Sequence, residues 1–405
     1  MTADLFAGYD RRFRRALDTA PERRPWVDDE RMSILAAARR CLGLDPQLVP
    51  SLEVRTGQVG ETAGEAWTTE HLQATSWPGV WCAADLYLPQ VNGPAPAVIL
   101  ACGHADGAKR APAYRALAGL LARQGVAVLV SDNLGQGERA AMGHQEVPGV
   151  FACDLSLQGL IVMETMAWLR WLRADPRIDR ARIGLVGNSG GGLLSLLAGA
   201  LCRDDLAVVS SSGFPSRFTF VARKEKQLCH CTLLPGIVGE LEMWQLYGSI
   251  APTPLLLFQG RDDHFFPEDL FWETARRTFT AFDRAGAAGR FAAEVLPGGH
   301  GWDARRRRLL ARFVCAHLGV LWQETVTDPP QPPLPACLPA WPRAALTTEQ
   351  LARRLSGCDR EAADLADVFP SDVPSEPVPL LRGDPRLIAA QYEAFLRDGL
   401  AVSLR

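Results

Sequence analysis

One stretch of the 405-residue chain constrains its fold more than any other. Ile183 to Val186 is an apolar run suited to a buried parallel strand, and it ends in Gly187-Asn188-Ser189-Gly190-Gly191. A helix-like run, Leu193 to Leu201, follows at once. A strand, a tight turn and a helix in that order, with Gly-x-Ser-x-Gly at the turn, hold a serine in strained backbone at the end of a sheet. Small neighbours are what permit the reversal, and Gly187 and Gly191 supply them. Gly190 opens the helix, so its backbone N–H faces the place where an oxyanion would form.

A serine hydroxyl is a weak nucleophile near neutral pH. It needs a histidine base, and the base needs an acid to orient it. On a sheet of this kind the partners follow in the order Ser, Asp or Glu, His. Pro254 to Gly260 reads as a buried strand running into Arg261-Asp262-Asp263-His264, and Phe291 to Leu296 reads as another running into Pro297-Gly298-Gly299-His300. Both sets of candidates sit just past a strand's C-terminal end, the edge where open α/β sheets carry their chemistry. At this level Asp262 and Asp263 are equal candidates.

Three other motifs compete for a role. Gly103-His104 follows the first strand of the βα series, where such sheets donate a second oxyanion N–H; the backbone of His104 is the candidate. Gly135-Gln136-Gly137-Glu138-Arg139-Ala140 matches a dinucleotide fingerprint, but no helical pattern continues from it, so no nucleotide site is expected. Cys229-His230-Cys231 invites a metal reading. It lacks the paired C-x-x-C spacing of structural zinc sites and has no second cluster in sequence, so a packed loop is expected, with no metal and no cofactor.

Strand and helix patterns alternate from Ala97 to His317, which predicts an α/β fold: a mostly parallel sheet with helices on both faces. A hairpin precedes it, Trp67 to Thr75 and Val80 to Leu88 around Trp77-Pro78-Gly79. The expected organisation is an N-terminal helical segment over 1–48, the α/β domain over 49–325, a Pro-rich linker over 326–343 and a C-terminal helical extension over 344–405. Residues 213–250 break the alternation and are expected to form a lid-like insertion. Its Phe218, Phe220, Trp244 and Tyr247 are candidates to wall an apolar substrate pocket.

The balance of 43 basic against 46 acidic residues gives no reason to expect nucleic acid or a membrane surface as a partner. Residues 1–24 are polar and arginine-rich, unlike a secretory leader, so the expectation is a cytoplasmic protein whose 10 cysteines are reduced. The partner expected is a small molecule; the oligomeric state is not legible.

Together these motifs resemble the acetyl xylan esterase-like and dienelactone hydrolase-like branch of the α/β-hydrolase superfamily. The likeness is carried by Gly103-His104, Gly135 to Arg139, Asp179 to Gly184, Gly187 to Gly192, Cys229 to Gly236, Ala251 to Leu255 and Pro297 to Gly301, and spans about Arg31 to Leu321. It implies a cofactor-free serine hydrolase of a small carboxylic ester, with Ser189 as nucleophile, Asp263 as acid and His300 as base. In that loop pattern the acid stands three residues after the glycine and four before the proline, which Asp263 does from Gly260 and to Pro267. Cys102 departs from the pattern, since many relatives carry histidine there. Acyl transfer, peptidase-like hydrolysis and a non-catalytic binding role on the same fold are the alternatives.

Overall fold

A computed structural model describes residues 28–61, 67–222, 229–327, 346–363 and 365–368. Among the described residues nine strands form one sheet: β1 (Glu53–Glu61), β2 (Trp67–Thr75), β3 (Trp81–Pro89), β4 (Ala95–Ala101), β5 (Ala127–Ser131), β6 (Ile178–Asn188), β7 (Val208–Ser212), β8 (Leu255–Gly260) and β9 (Phe291–Leu296). Their order across the sheet is β1-β2-β3-β5-β4-β6-β7-β8-β9. The first three strands pair antiparallel and β3 meets β5 antiparallel; every pair from β5 onward is parallel.

The parallel strands are apolar runs because helices cover both their faces. Every residue of β4 and of β8 is buried. The covering helices are α1 (Asp28–Leu42), α2 (Pro112–Arg123), α3 (Leu157–Ala174), α4 (Gly190–Leu201), α5 (Glu268–Arg284) and α6 (Ala304–His317). Two large buried clusters result among the described residues, beside a small third one of Phe151, Ala152 and Val368. The larger, on one face, joins α1, α3, α4 and the insertion through residues such as Leu42, Met163, Leu197 and Tyr247. The smaller, on the other, packs α2 against α6 through Leu117, Leu121, Leu310 and Val314.

Strand β1 is the element that the apolar pattern does not predict. It is an edge strand of mixed character, EVRTGQVGE, paired on one side only, so no buried face imposes an apolar run. Among the described residues no helix is long and apolar enough to cross a membrane.

The described part of the C-terminal extension packs on the main domain. A helix over Thr348–Ser356 is capped by Thr347 and buries Leu351 and Ala352 completely. Its Glu349 accepts from Gly149 N at 2.7 Å, and Thr348 Oγ1 donates to Gly143 O at 2.6 Å. The helical pattern over 385–400, most of the 326–343 linker and the first 27 residues lie outside the described residues.

Candidate active site

The turn from β6 to α4 has the strain its sequence implies. Ser189 stands at φ 58 and ψ −126, a conformation that side-chain-bearing residues rarely adopt. A Cβ on Gly187 would stand 2.1 Å from Gly191 O, and one on Gly191 would stand 2.1 Å from Ala101 O, so both close approaches require glycine. Ser189 N donates to Ser212 O at 2.9 Å, fastening the turn to β7. The serine itself is half-buried at the carboxyl edge of the sheet.

Asp263 and His300 arrive from the ends of β8 and β9. His300 Nδ1 lies 2.8 Å from Asp263 Oδ2. The other carboxylate oxygen, Oδ1, accepts from Phe265 N at 2.9 Å and Phe266 N at 3.2 Å. Burial alone would raise the Asp263 pKa, but the bond from His300, its charge and the two backbone bonds outweigh it and hold the carboxyl below its ordinary range. Asp262 is exposed, and among the described residues its carboxylate accepts only from Gly298 N, at 3.3 Å. Of the two neighbouring acids, the structure brings Asp263 to the imidazole. Among the described residues no hydrogen bond joins the Ser189 hydroxyl to His300. Such contacts commonly tighten only when substrate is bound.

The His300 loop is clasped by one arginine of a four-arginine run. Arg306, within Arg305 to Arg308, is 4 % exposed, and its guanidinium donates to Gly299 O, Gly301 O and Pro297 O. Two residues past His300, Trp302 Nε1 donates to Ser212 Oγ at 2.7 Å, and that hydroxyl donates to Asn188 Oδ1 at 2.9 Å, beside the nucleophile turn.

On the opposite side of Ser189 lies the loop after β4. Among the described residues the backbone N–H groups of His104 and Gly190 have no protein acceptor, whereas Gly103 N donates to Tyr114 Oη at 2.7 Å. Lys109 anchors the loop: its buried ammonium reaches Asp132 Oδ2 at 3.0 Å and also pairs with Glu138. Glu138 and Arg139 of the glycine-rich motif thus serve an internal ion network, with Arg139 bidentate on Glu164.

The expected aromatic wall needs correction. Tyr247 is completely buried with its hydroxyl 2.7 Å from Ser211 Oγ, and Phe218 is 2 % exposed; both are core residues. Trp244 is half-buried with Arg277 over its ring, facing α5. Phe220 is half-buried and stacks loosely on Phe266 at 6.3 Å. The rings actually against His300 are Phe265, at 4.8 Å between centroids, and Phe266, at 6.1 Å. Their place two and three residues after Asp263 is the sequence signal that could have found them.

The reading of Cys229 to Cys231 as a packed loop captures only part of its setting. His230 does turn inward, its Nδ1 accepting from Val147 N at 2.8 Å. The two cysteines face the other way and meet His104 and His144, and the four donor atoms all lie within 4.8 Å of one another. These are the residues that could hold a metal. Burial opposes ionisation of Cys229, but bonds from Cys231, His104 and His144 outweigh it and hold that thiol well below its ordinary range. Cys231, buried beside it, is pushed up.

No family model and no curated protein matches the sequence. Solved structures do match. The methylesterase BT1017 is 20% identical, with 75% of this chain and 67% of that one covered at a TM-score of 0.58. A glucuronoyl esterase from Solibacter usitatus is 15% identical, covering 72% and 93% at 0.56. A Bacteroides fragilis protein assigned as an acetyl xylan esterase is 16% identical, covering 66% and 74% at 0.53. The fold they share with this chain is that of the α/β-hydrolases.

Proposed function

We propose that this α/β-hydrolase-fold protein is a serine hydrolase that cleaves a small carboxylic ester through an acyl-enzyme. The observation that carries the reading is the Asp263–His300 bond at 2.8 Å, formed between two strand ends on the same sheet edge as the strained Ser189 turn. In this reading Asp263 fixes the imidazole with its proton on Nδ1, which leaves Nε2 to take the Ser189 proton. Ser189 Oγ attacks the ester carbonyl, and the N–H groups of Gly190 and His104 stabilise the tetrahedral oxyanion. His300 then gives the proton to the leaving alcohol. Water, activated by the same imidazole, releases the acid. The esterases among the structural neighbours support an ester as substrate; the half-buried Phe265 beside His300 suits an apolar or stacked leaving group.

The test is labelling with a fluorophosphonate followed by a panel of acetyl, methyl and aryl esters. Wild type should be labelled at Ser189 and hydrolyse at least one short-chain ester, and Ser189→Ala should lose both properties while keeping its melting temperature within a few degrees. Full turnover by Ser189→Ala would end the proposal. Labelling without hydrolysis, but with transfer to an added alcohol or amine, would replace hydrolysis by acyl transfer on the same residues.

A further inference from the structure

We infer that His104, His144, Cys229 and Cys231 form a structural Zn²⁺ site that staples the oxyanion loop to the insertion. The argument begins with crowding. His104 Nε2 lies 2.8 Å from Cys229 Sγ, 3.0 Å from His144 Nε2 and 3.6 Å from Cys231 Sγ. A single ring nitrogen carries at most one proton, so it cannot satisfy three such neighbours as hydrogen bonds. Four soft or borderline donors converging on one point are the arrangement a cation resolves.

The dimensions fit zinc. With Zn–N near 2.0–2.1 Å and Zn–S near 2.3 Å, the edges of a tetrahedron between these donors are about 3.3–3.8 Å. The three separations from His104 Nε2 depart from those edges by at most about 0.7 Å, and all six donor pairs lie within 4.8 Å, so a shift of about 1 Å or less closes the tetrahedron. Two thiolates and two imidazoles match the borderline softness of Zn²⁺, and the thiolates balance its charge.

The surrounding residues are already arranged for it. His144 Nδ1 donates to Leu134 O at 2.6 Å, which places its lone pair on Nε2, toward the cluster. His144, Cys229 and Cys231 are buried. His104, His144 and Cys231 line a small cavity together with Gln136 and Gln158.

Placement assigns the role. The four ligands come from three segments: the loop after β4, the loop after β5 and the insertion. Four protein ligands close the coordination sphere and leave no position for substrate, so the metal is structural. The His104 ring also rests on the nucleophile turn, where a Cβ at Gly190 would stand 3.2 Å from its Nδ1. Metal binding therefore fixes the residue whose backbone N–H the proposed mechanism uses for the oxyanion, and Cys229 and Cys231 bind as thiolates, their protons going to solvent.

The experiment is elemental analysis of the tag-free full chain, purified under reducing conditions after expression with zinc. Metal content does not depend on hydrolysis, so its outcome is separate from that of the esterase reading. Close to one zinc per chain is expected, retained through gel filtration and lowered at least fivefold in Cys229→Ser and in His144→Asn. The chain loaded with Co²⁺ should show a thiolate-to-cobalt charge-transfer band, and zinc should raise the melting temperature of the metal-free chain by several degrees. Less than a tenth of an equivalent after zinc loading overturns the site, as does zinc retained undiminished in both variants. Where a variant fails to fold, the wild-type cobalt spectrum decides, and a spectrum without the thiolate band is equally fatal.

Discussion

At the scale of single residues, the site depends on which of two adjacent acids faces the imidazole and on what keeps that imidazole in place. Asp263 is buried and holds His300 with one oxygen and two backbone N–H groups with the other. Asp263→Asn keeps the size but reverses the hydrogen-bond logic, presenting an N–H or a weaker acceptor to Nδ1. It is expected to lower kcat by about 10⁴, as tautomer loss does in triad enzymes. Asp262→Asn disturbs one loop contact at Gly298 and should cost about tenfold or less. Steady-state kinetics on the two purified variants checks the ranking; the reverse order would move the acid. Arg306 acts at one remove, as a positioning residue that ties Pro297, Gly299 and Gly301 around His300. Arg306→Ala should lower kcat by about 10²-fold with KM little changed, since a displacement of about 1 Å in a reacting group costs that much. Arg306→Lys, with one donor point in place of a fork, should recover only part of the loss. A mutant that lost KM alone would place Arg306 in substrate binding instead.

At the scale of elements, the insertion carries a buried carboxyl whose titration bears on stability. Glu242 caps the short helix Met243–Gly248 and accepts from Phe218 N at 3.2 Å from a completely buried position. Burial raises its pKa to about 7, against smaller opposing effects from Arg217 and the backbone N–H groups of Phe218 and Met243. The unfolded chain's glutamate titrates near ~4.3. Between those values the folded protein binds the extra proton, so this group's stabilisation is complete below about pH 4 and is lost as pH rises through about 7. Glu242→Gln keeps an acceptor for the cap without the charge. Its melting temperature should exceed wild type at pH 8 and match it near pH 5, as thermal scans across that range would reveal; parallel curves would mean the group titrates normally. The parallel strands were legible because both faces are buried, which forces continuous apolar runs such as Leu255 to Phe258. Edge strand β1 was not, since one free edge relaxes the pattern. The aromatic residues of the insertion look alike in sequence, and only packing separates Tyr247 in the core from Phe220 nearer the surface. The His104–His144–Cys229–Cys231 cluster was illegible for another reason: spacing rules detect ligands close in sequence, and His104 and Cys229 are 125 residues apart. Arg306 was lost in a charge run, because one inward member of such a run looks like its solvated neighbours.

At the scale of the whole molecule, the open question is what the C-terminal extension adds to a domain whose proposed catalytic groups all lie before it. The described part is no loose tail. Leu346 N donates to Gly79 O at 3.2 Å and Arg354 to Pro78 O at 2.7 Å, so the Thr348–Ser356 helix spans from the β2–β3 hairpin to the loop carrying His144. On that second side it caps Gly149 N and Gly143 O, one residue from His144. Removing it would expose the surface now covered by Leu351 and leave a buried N–H without an acceptor, each worth about 1–3 kcal/mol. Yet no side chain of residues 346–368 reaches Ser189, Asp263 or His300 among the described contacts. Truncation after Thr327 should therefore lower the melting temperature by several degrees, with kcat on the best ester within about threefold of wild type while the chain is folded. Restoring residues 328–363 should recover most of the lost stability, because the helix and its caps lie within them. A truncated chain that kept its melting temperature would show that the packing contributes nothing net. A folded truncation with kcat reduced more than a hundredfold would show that the extension acts on the site at a distance, with the Gly143–His144 loop as the segment to test first.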